Sequence, residues 1–455
     1  MKYYLKTYGC QMNVHDSEKI AGIFSESGYE HSENVKDADV IVINTCSIRQ
    51  KAEQKFLSEL GRLKAIKERN PQVKVAVAGC IAQQKGETLF EKFPYIDFIF
   101  GPQNIHSLQK WINPAPFGTG QSTEYRTQIT ALQENPEHHT EILPVKREGG
   151  VRAWVSIMYG CDNFCAYCVV PYTRGRERSR AVSDISREVR ELSEYGYKEI
   201  TLLGQNVNSY GKNLSESIDF PDLLKAIHEI EGIQRIRFVT SHPRGLSEKL
   251  IEKIRDLPKV CEHIHLPIQA GSDRILDLMN RGYTYAQYKE KIDMLKKEIP
   301  DIAITTDIIV GFPGEKEDDF DCTVKALKEI EFDGIFAFKY SKRPDTKAIE
   351  LPGHIDEKIK SERLAAVLIL QENITYKKNK LLEGKILDVL VEGQSETDSD
   401  KLTGRTRTNK IVNFYPVRKK NSNGVYGDNK LIGNLVNIKI FEARQHSLFG
   451  ELHSE

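Results

Sequence analysis

The sequence predicts an α/β protein in three units: an N-terminal parallel α/β domain, a larger run of six β/α repeats, and a small C-terminal β-barrel. Three observations predict it. Apolar runs alternate with helix-period stretches over residues 1–113 and again over 151–380, the pattern of parallel strands joined by helices. From about Leu381 to the end, 381–455, the helical pattern stops and four or five short strands follow one another through Gly and Asn turns. Between the first two units, residues 114–150 carry Pro114, Pro116, Gly118, Gly120, Ser122 and Thr123 and then a polar run without sustained period, which reads as a linker.

At 455 residues the chain can build two or three domains with substantial cores. Mean hydropathy is −0.47, and no apolar run approaches the roughly 20 residues that cross a bilayer, so no membrane partner is expected. Met1 to Thr7 reads as a strand and not as a signal peptide. A cytoplasmic location follows, and eight cysteines in a reducing compartment point to metal or catalysis before disulfides. Net charge is zero, so the whole chain does not attract a polyanion. Between Lys401 and Gly450, however, ten Lys or Arg stand against two acids, Asp428 and Glu442. A local basic surface of this kind can bind phosphates.

In the first unit, residues 2–8, 39–43 and 73–78 read as buried strands, and 17–27, 48–69 and 83–92 as the helices between them. Cys10, Cys46 and Cys80 each lie just past one of these strands, at its carboxyl end. In an open parallel sheet those ends share one edge, where ligands bind. Three cysteines far apart in sequence are therefore expected to converge as a three-thiolate iron–sulfur site with one iron left open. The alternative is three buried structural cysteines.

In the second unit, strands are expected at 153–158, 200–203, 236–239, 264–268, 304–310 and 335–340, with amphipathic helices at 183–195, 221–230, 285–297 and 317–330. Six units are too few to close an eight-stranded barrel. Just past the first strand stands Cys161-Asp162-Asn163-Phe164-Cys165-Ala166-Tyr167-Cys168, a C-x3-C-x2-C spacing. Three thiolates this close can fill three of the four iron positions of a [4Fe–4S] cube, leaving the fourth to a small molecule that takes an electron. A zinc site would need a fourth ligand, and no second pair follows. Cys261, before a strand, and Cys322, in a helix, have no partners at ligand spacing and read as packed thiols.

The Cys161–Cys168 stretch resembles the motif of the radical S-adenosylmethionine (SAM) superfamily, and six β/α units fit the open barrel of those enzymes. The resemblance implies that the free iron binds SAM and that reduction cleaves SAM to a 5′-deoxyadenosyl radical. It places Tyr167 beside the adenine, where the bland alternative is ordinary packing. Gly204, Gln205 and Asn206 follow the second strand, in the position of the motif that contacts the SAM amino group. Gln269 and Ser272 follow the fourth strand, and Gly311 and Gly314 end the fifth. Alone, each would be a strand-end turn; together, beside a cluster, they suggest a SAM pocket.

With the N-terminal trio added, the chain looks like a member of the radical-SAM methylthiotransferase family, nearest its MiaB-type tRNA-modifying branch. The carrying stretches are Lys6-Thr7-Tyr8-Gly9-Cys10-Gln11-Met12-Asn13, Asn44-Thr45-Cys46-Ser47-Ile48-Arg49 with Lys51-Ala52-Glu53, Phe100-Gly101-Pro102-Gln103 and Pro171-Tyr172-Thr173-Arg174-Gly175. The resemblance implies two [4Fe–4S] clusters. Cys161, Cys165 and Cys168 would hold the one that cleaves SAM, and Cys10, Cys46 and Cys80 an auxiliary one carrying the sulfur to be donated. Two SAM molecules would be used per turnover, one as methyl donor and one as radical source. The implied substrate is C2 of N6-isopentenyladenosine beside a tRNA anticodon. The implied partners are a reductant such as flavodoxin or ferredoxin and a sulfur-supplying system. Sister branches that modify threonylcarbamoyl-adenosine or a ribosomal-protein aspartate remain open, as does a non-catalytic iron–sulfur RNA-binding redox sensor.

The C-terminal unit looks like a TRAM domain, an RNA-binding appendage. Arg405, Arg407 and Lys419 supply its expected RNA contacts, with Tyr415 and Tyr426 available for stacking and Phe414 assigned to the core. Arg174, Arg176 and Arg178, just beyond the cysteine triplet, could hold phosphates or be solvated charge paired with Glu177. Asp345 and Lys347 depart from the family's more usual glycine and proline.

Overall fold

The computed structural model describes residues 1–47, 50–113, 128–132, 143–147, 149–396, 398–416 and 429–453, without the side chains of 50–52 and 429. The N-terminal sheet has six parallel strands in the order Glu30–His31, Lys2–Tyr8, Val40–Thr45, Lys74–Gly79, Phe98–Phe100 and Ile129–Ala131. Val40–Thr45 is buried along its whole length, as a strand covered on both faces must be, so it shows no alternation. Chain order reverses on either side of Lys2–Tyr8. The resulting switch point, where ligands settle in open sheets, lies at the ends that carry Cys10 and Cys46.

Three expectations for this unit are corrected. The helix after Cys10 runs Gln11–Glu26, starting six residues earlier than 17, because Asn13, His15 and Asp16 are polar yet buried. The helix expected over 83–92 is two short ones, Cys80–Lys85 and Thr88–Lys92, broken where Gly86 turns left-handed at φ 51°. The sheet also continues past Asn113, since Ile129–Ala131, inside the stretch read as linker, pairs with Phe98–Phe100. The helix expected over 48–69 is seen over Gln50–Arg69; residues 48 and 49 lie outside the described residues.

All six strands of the second unit are present. Arg152–Ser156, Glu199–Leu203 and Arg235–Phe238 form one parallel ladder, and His263–His265, Ala303–Val310 and Gly334–Lys339 another. An Ile236–Val260 bridge joins them. Among the described residues nothing pairs the first strand with the last, so the barrel is open. Helices Val182–Glu194, Phe220–His228, Tyr285–Glu298 and Glu317–Ile330 stand where the periodicity places them. Helix Glu357–Lys380, which covers the last strand, was hidden because its apolar residues do not gather on one face.

Five strands close the C-terminal barrel in the order Ile386–Ser395, Asp398–Thr406, Ile411–Tyr415, Leu448–Leu452 and Leu435–Ala443. Phe414 is in its core, as expected. This barrel docks on the open one through arginines. Arg235 is fully buried and donates to the Arg405 carbonyl at 2.6 Å and to the Asp388 carboxylate at 2.7 Å. Arg237 pairs with Glu199 at 2.8 Å and donates to the carbonyls of Thr406 and Arg407. Arg407 forks onto both carboxylate oxygens of Glu262 at 2.6 and 2.7 Å. The two C-terminal arginines expected to contact RNA are thus spent otherwise: Arg407 fastens the domains, and Arg405 pairs with Glu392 at 3.3 Å beside that seam.

No helix among the described residues is long and apolar enough to cross a membrane.

Candidate cluster and cofactor site

The first barrel strand runs into the cysteine loop through Met158–Tyr159, which pairs with Arg178–Ser179. Gly160 then turns at φ 73°, where a β-carbon would lie 2.0 Å from the Arg176 carbonyl, so only glycine fits. The Cys161 N–H donates to the Gly175 carbonyl at 3.2 Å, the Ala166 N–H to Met279 at 2.9 Å, and the Ala348 N–H to the Ala166 carbonyl at 2.8 Å. The loop is held by backbone from three separate segments.

Inside it, Cys161, Cys165 and Cys168 are close enough to influence one another's charge. Burial pushes the Cys161 thiol up to about 11 and also raises Cys168. Metal must therefore displace protons to bind. The buried guanidinium of Arg281 donates to Cys165 Sγ at 3.2 Å, to the Tyr167 hydroxyl at 3.4 Å and to the Pro267 carbonyl at 2.8 Å. A fixed positive charge there favours thiolate over thiol.

The rim around this loop carries buried polar atoms that no protein group satisfies: Gln205 Oε1, Asn206 Oδ1, Ser241 Oγ, His242 Nε2 and Gln269 Oε1. They follow the second, third and fourth strands. Burial, aided by Arg281 and Arg244, holds His242 down to about 2, so its ring is neutral. Gln269 is also left-handed at φ 75°, and strain of this kind collects where a ligand is gripped. Unsatisfied buried donors and acceptors at one rim fit a ligand rich in amino, carboxylate and ribose groups, as SAM is. Gly204 is needed for space, since a β-carbon would come 2.6 Å from Met158 Cγ.

The other residues expected at this pocket have partners within the fold. Ser272 caps helix Asp273–Leu278 and donates to Asp319 at 2.6 Å. Gly311 (φ 69°) donates its N–H to Glu315 at 2.8 Å, and Gly314 (φ 82°) to the Gly353 carbonyl at 2.8 Å. These three lie in the turns that follow the fourth and fifth strands. Asp345 stands at φ 65°, a conformation that Asp tolerates and glycine adopts freely.

The N-terminal trio converges as expected. Cys10 is the cap residue of Gln11–Glu26, Cys46 follows Val40–Thr45 directly, and Cys80 opens Cys80–Lys85. A hydrogen bond from Cys46 lowers the Cys10 thiol to about 6, with Arg174 adding to the effect. Burial raises Cys80, against the pull of Arg174. Around them Thr45 Oγ1, Ser47 Oγ and Gln83 Oε1 are buried without partners. No group of three or more His, Cys, Asp or Glu among the described residues is focused on one metal-ion position. A cube takes each thiolate on its own iron and asks for no such focus.

Arg174 is corrected from RNA contact to bridge. It ends helix Val170–Arg174, which starts two residues after Cys168, yet it reaches across the domain boundary to Asp16 at 2.8 Å beside Cys80 and Cys10. Lys19 Nζ to the Tyr159 hydroxyl at 2.8 Å and Arg343 to Glu53 at 3.2 Å fasten the same boundary. Arg176 is exposed and pairs with Asp162 at 2.7 Å. Arg178 is half-buried in its ladder, and Lys419 and Tyr426 lie outside the described residues. Cys261 is buried as expected, whereas Cys322 is exposed rather than packed. Sequence reasoning missed Arg281, Asp16, Ser241 and His242. None lies in a cysteine motif; only Ser241 and His242 carried a signal, their place just past the third strand.

Three family models match. Residues 2–101 match the uncharacterized protein family UPF0004, 155–327 the radical SAM superfamily, and 380–453 the TRAM domain. A Thermodesulfovibrio yellowstonii protein named tRNA-2-methylthio-N(6)-dimethylallyladenosine synthase is 54% identical over 99% of this chain and 98% of its own length. Proteins of the same name from Thermoanaerobacter pseudethanolicus and Carboxydothermus hydrogenoformans are 50% and 47% identical, over 99% of this chain and 92% and 99% of theirs. Among solved structures, the radical SAM methyltransferase TsrM from Kitasatospora setae superposes with a TM-score of 0.53 at 13% identity, over 85% of this chain and 78% of that one. That likeness shows the fold alone.

Proposed function

The chain belongs to the tRNA-2-methylthio-N6-dimethylallyladenosine synthase family of radical-SAM methylthiotransferases, and on that premise we propose how its residues divide the work. The enzyme adds a methylthio group to C2 of N6-dimethylallyladenosine (isopentenyladenosine) beside the anticodon of tRNA. The observation that carries the assignment of roles is Arg174, six residues after Cys168, which crosses the domain boundary to pair with Asp16 beside Cys10 and Cys80.

When bound, the two [4Fe–4S] clusters and SAM supply the radical and the methylthio group that an aromatic C–H without a leaving group requires. Cys161, Cys165 and Cys168 hold the SAM-cleaving cluster, and Arg281 fixes Cys165 and Tyr167. Gln205, Asn206, Ser241, His242 and Gln269 hold SAM, each offering a buried atom with an unmet hydrogen bond. Cys10, Cys46 and Cys80 hold the auxiliary cluster. Residues 1–113 with the added strand form the sulfur-donor domain, 151–380 the radical domain and 381–455 the RNA-binding domain. A target base in an anticodon loop is already splayed, so it can enter the open barrel without breaking a helix. A low-potential reductant such as flavodoxin or ferredoxin and a sulfur-supplying system serve the enzyme in the cytoplasm.

The test is mass spectrometry of anticodon stem-loops bearing dimethylallyl- or threonylcarbamoyl-adenosine, run beside iron analysis of reconstituted protein. Expected are product from the dimethylallyl stem-loop only, about eight irons in the wild type, and about four after replacing either trio by alanine. Product from the threonylcarbamoyl stem-loop, or about four irons in the wild type, would overturn the assignment.

A further inference from the structure

The last barrel strand, Gly334–Lys339, carries two phenylalanines that the fold leaves uncovered. Phe336 is 55% and Phe338 42% exposed. Their neighbours Ile335 and Ala337 pack on the barrel core, and Lys339 reaches Glu357 and Ser361 on the covering helix. Side chains alternate across a strand, so the two rings point the other way, into the concave interior.

The register fixes their company. Asp307 lies opposite Phe336 and half-buried Ile309 opposite Phe338. His265 meets the Phe336 ring edge-on at 5.7 Å, with its Nε2 3.4 Å from Asp307 and its Nδ1 3.0 Å from the Thr305 hydroxyl. This wall runs straight into the cofactor rim, because the Gln269 N–H donates to the Asp307 carbonyl and the Ile309 N–H to the Gln269 carbonyl, both at 2.9 Å. A single exposed apolar residue needs no explanation. A pair of aromatic rings on a concave wall beside convergent polar atoms is how a ligand subsite is built.

We propose that Phe336 and Phe338, with Ile309 beside them, form the subsite for the N6-dimethylallyl group of the target adenosine, bounded by Asp307 and His265. This rests on the methylthiotransferase reading and adds to it the residues that select the substrate. The occupant follows from chemistry. A branched five-carbon chain on an extruded base needs an apolar wall within reach of the cofactor rim, and these rings supply one. Asp307 gives the wall its selectivity: a threonylcarbamoyl group would bring its own carboxylate against this carboxylate and against two phenyl rings, losing hydration without a partner.

The test compares kcat and KM of the reconstituted full-length enzyme on a dimethylallyl-adenosine stem-loop, and affinity for the same stem-loop with plain adenosine. The variants are Phe336→Asn/Phe338→Asn and the apolar control Phe336→Leu/Phe338→Leu. The Asn pair is expected to raise KM for the prenylated stem-loop about 10- to 100-fold, leaving iron content and affinity for the plain stem-loop unchanged. The Leu pair is expected to restore most of the loss. An unchanged KM in the Asn pair, or an equal loss for both RNAs, overturns the proposal. If the Asn pair loads less iron, single Phe336→Ala and Phe338→Ala variants carry the same comparison. A wild type that leaves the prenylated stem-loop unmodified would instead sink the functional reading itself.

Discussion

Arg174 and Asp16 form an ion pair of 2.8 Å in which both partners are nearly sealed from water, at 5% and 4% side-chain exposure. One comes from the helix after the radical-SAM cysteines and the other from the helix that Cys10 caps. Their pairing ties the two cysteine-bearing units together beside Cys10 and Cys80.

Removing one partner leaves a buried charge uncompensated. Arg174→Met is expected to destabilise the protein by about 3–5 kcal/mol, and Asp16→Asn/Arg174→Met to recover part of that loss, read as thermal melting of the reconstituted enzyme. The salt dependence of tRNA binding separates this role from an RNA contact. Arg176→Ala should lower the slope by about one counter-ion, and Arg174→Met should leave it as it was. A lowered slope for Arg174→Met would return Arg174 to the RNA surface.

Gly79 and Gly160 each precede a cluster cysteine, turn at φ 93° and 73°, and leave no room for a β-carbon beside the carbonyls of Thr45 and Arg176. Alanine at either site must move the next cysteine. Gly160→Ala is expected to bring bound iron from about eight to about four, keeping the N-terminal cluster, and Gly79→Ala to do the reverse. Mössbauer spectra assign which cluster survives. Full iron in both variants would mean that the loops adapt.

Arg407 and Glu262 join the C-terminal barrel to the open one. A double-mutant cycle of Arg407→Ala and Glu262→Ala should show a coupling of about 1–3 kcal/mol. Limited proteolysis should then cut faster near Leu381 in either single variant. Zero coupling would remove the pair from the interface. Loss of RNA affinity in Arg407→Ala alone, with no change in domain docking, would make it an RNA contact after all.

Acid should loosen the barrel through His263. Burial, with Arg237 adding, lowers His263 to about 3, against about 6.5 when unfolded. The unfolded chain therefore binds a proton that the folded one refuses, so stability is full above pH 6.5 and falls as pH drops toward 3. The slope from this group is about 1.4 kcal/mol per pH unit. His263→Gln should flatten the pH dependence of melting between those limits. An unchanged profile would show that other groups carry the acid sensitivity.

Much of this was legible in one dimension. Cys161, Cys165 and Cys168 declare themselves by spacing. Cys10, Cys46 and Cys80 do so by their place after three apolar runs, since parallel strand ends must share an edge. The six barrel strands showed as apolar runs for the same reason that they are buried. The helix Gln11–Glu26 was half hidden because its polar residues are buried, Asn13 against Asn44 of its own domain and Asp16 against Arg174 of the next.

What the sequence determined by itself was the inventory: two sets of thiolates, their order along the chain, and the sheets that would carry them. These follow from local chemistry, through periodicity and ligand spacing. The tertiary structure alone decided what each charged residue does. Arg174, Arg405 and Arg407 look like any basic run, and their use in ion pairs depends on Asp16, Glu392 and Glu262. Arg281 reaches Cys165 across 116 residues. A charge goes to water or to a buried partner according to what packs against it, and that is set by distant segments that no window of sequence contains.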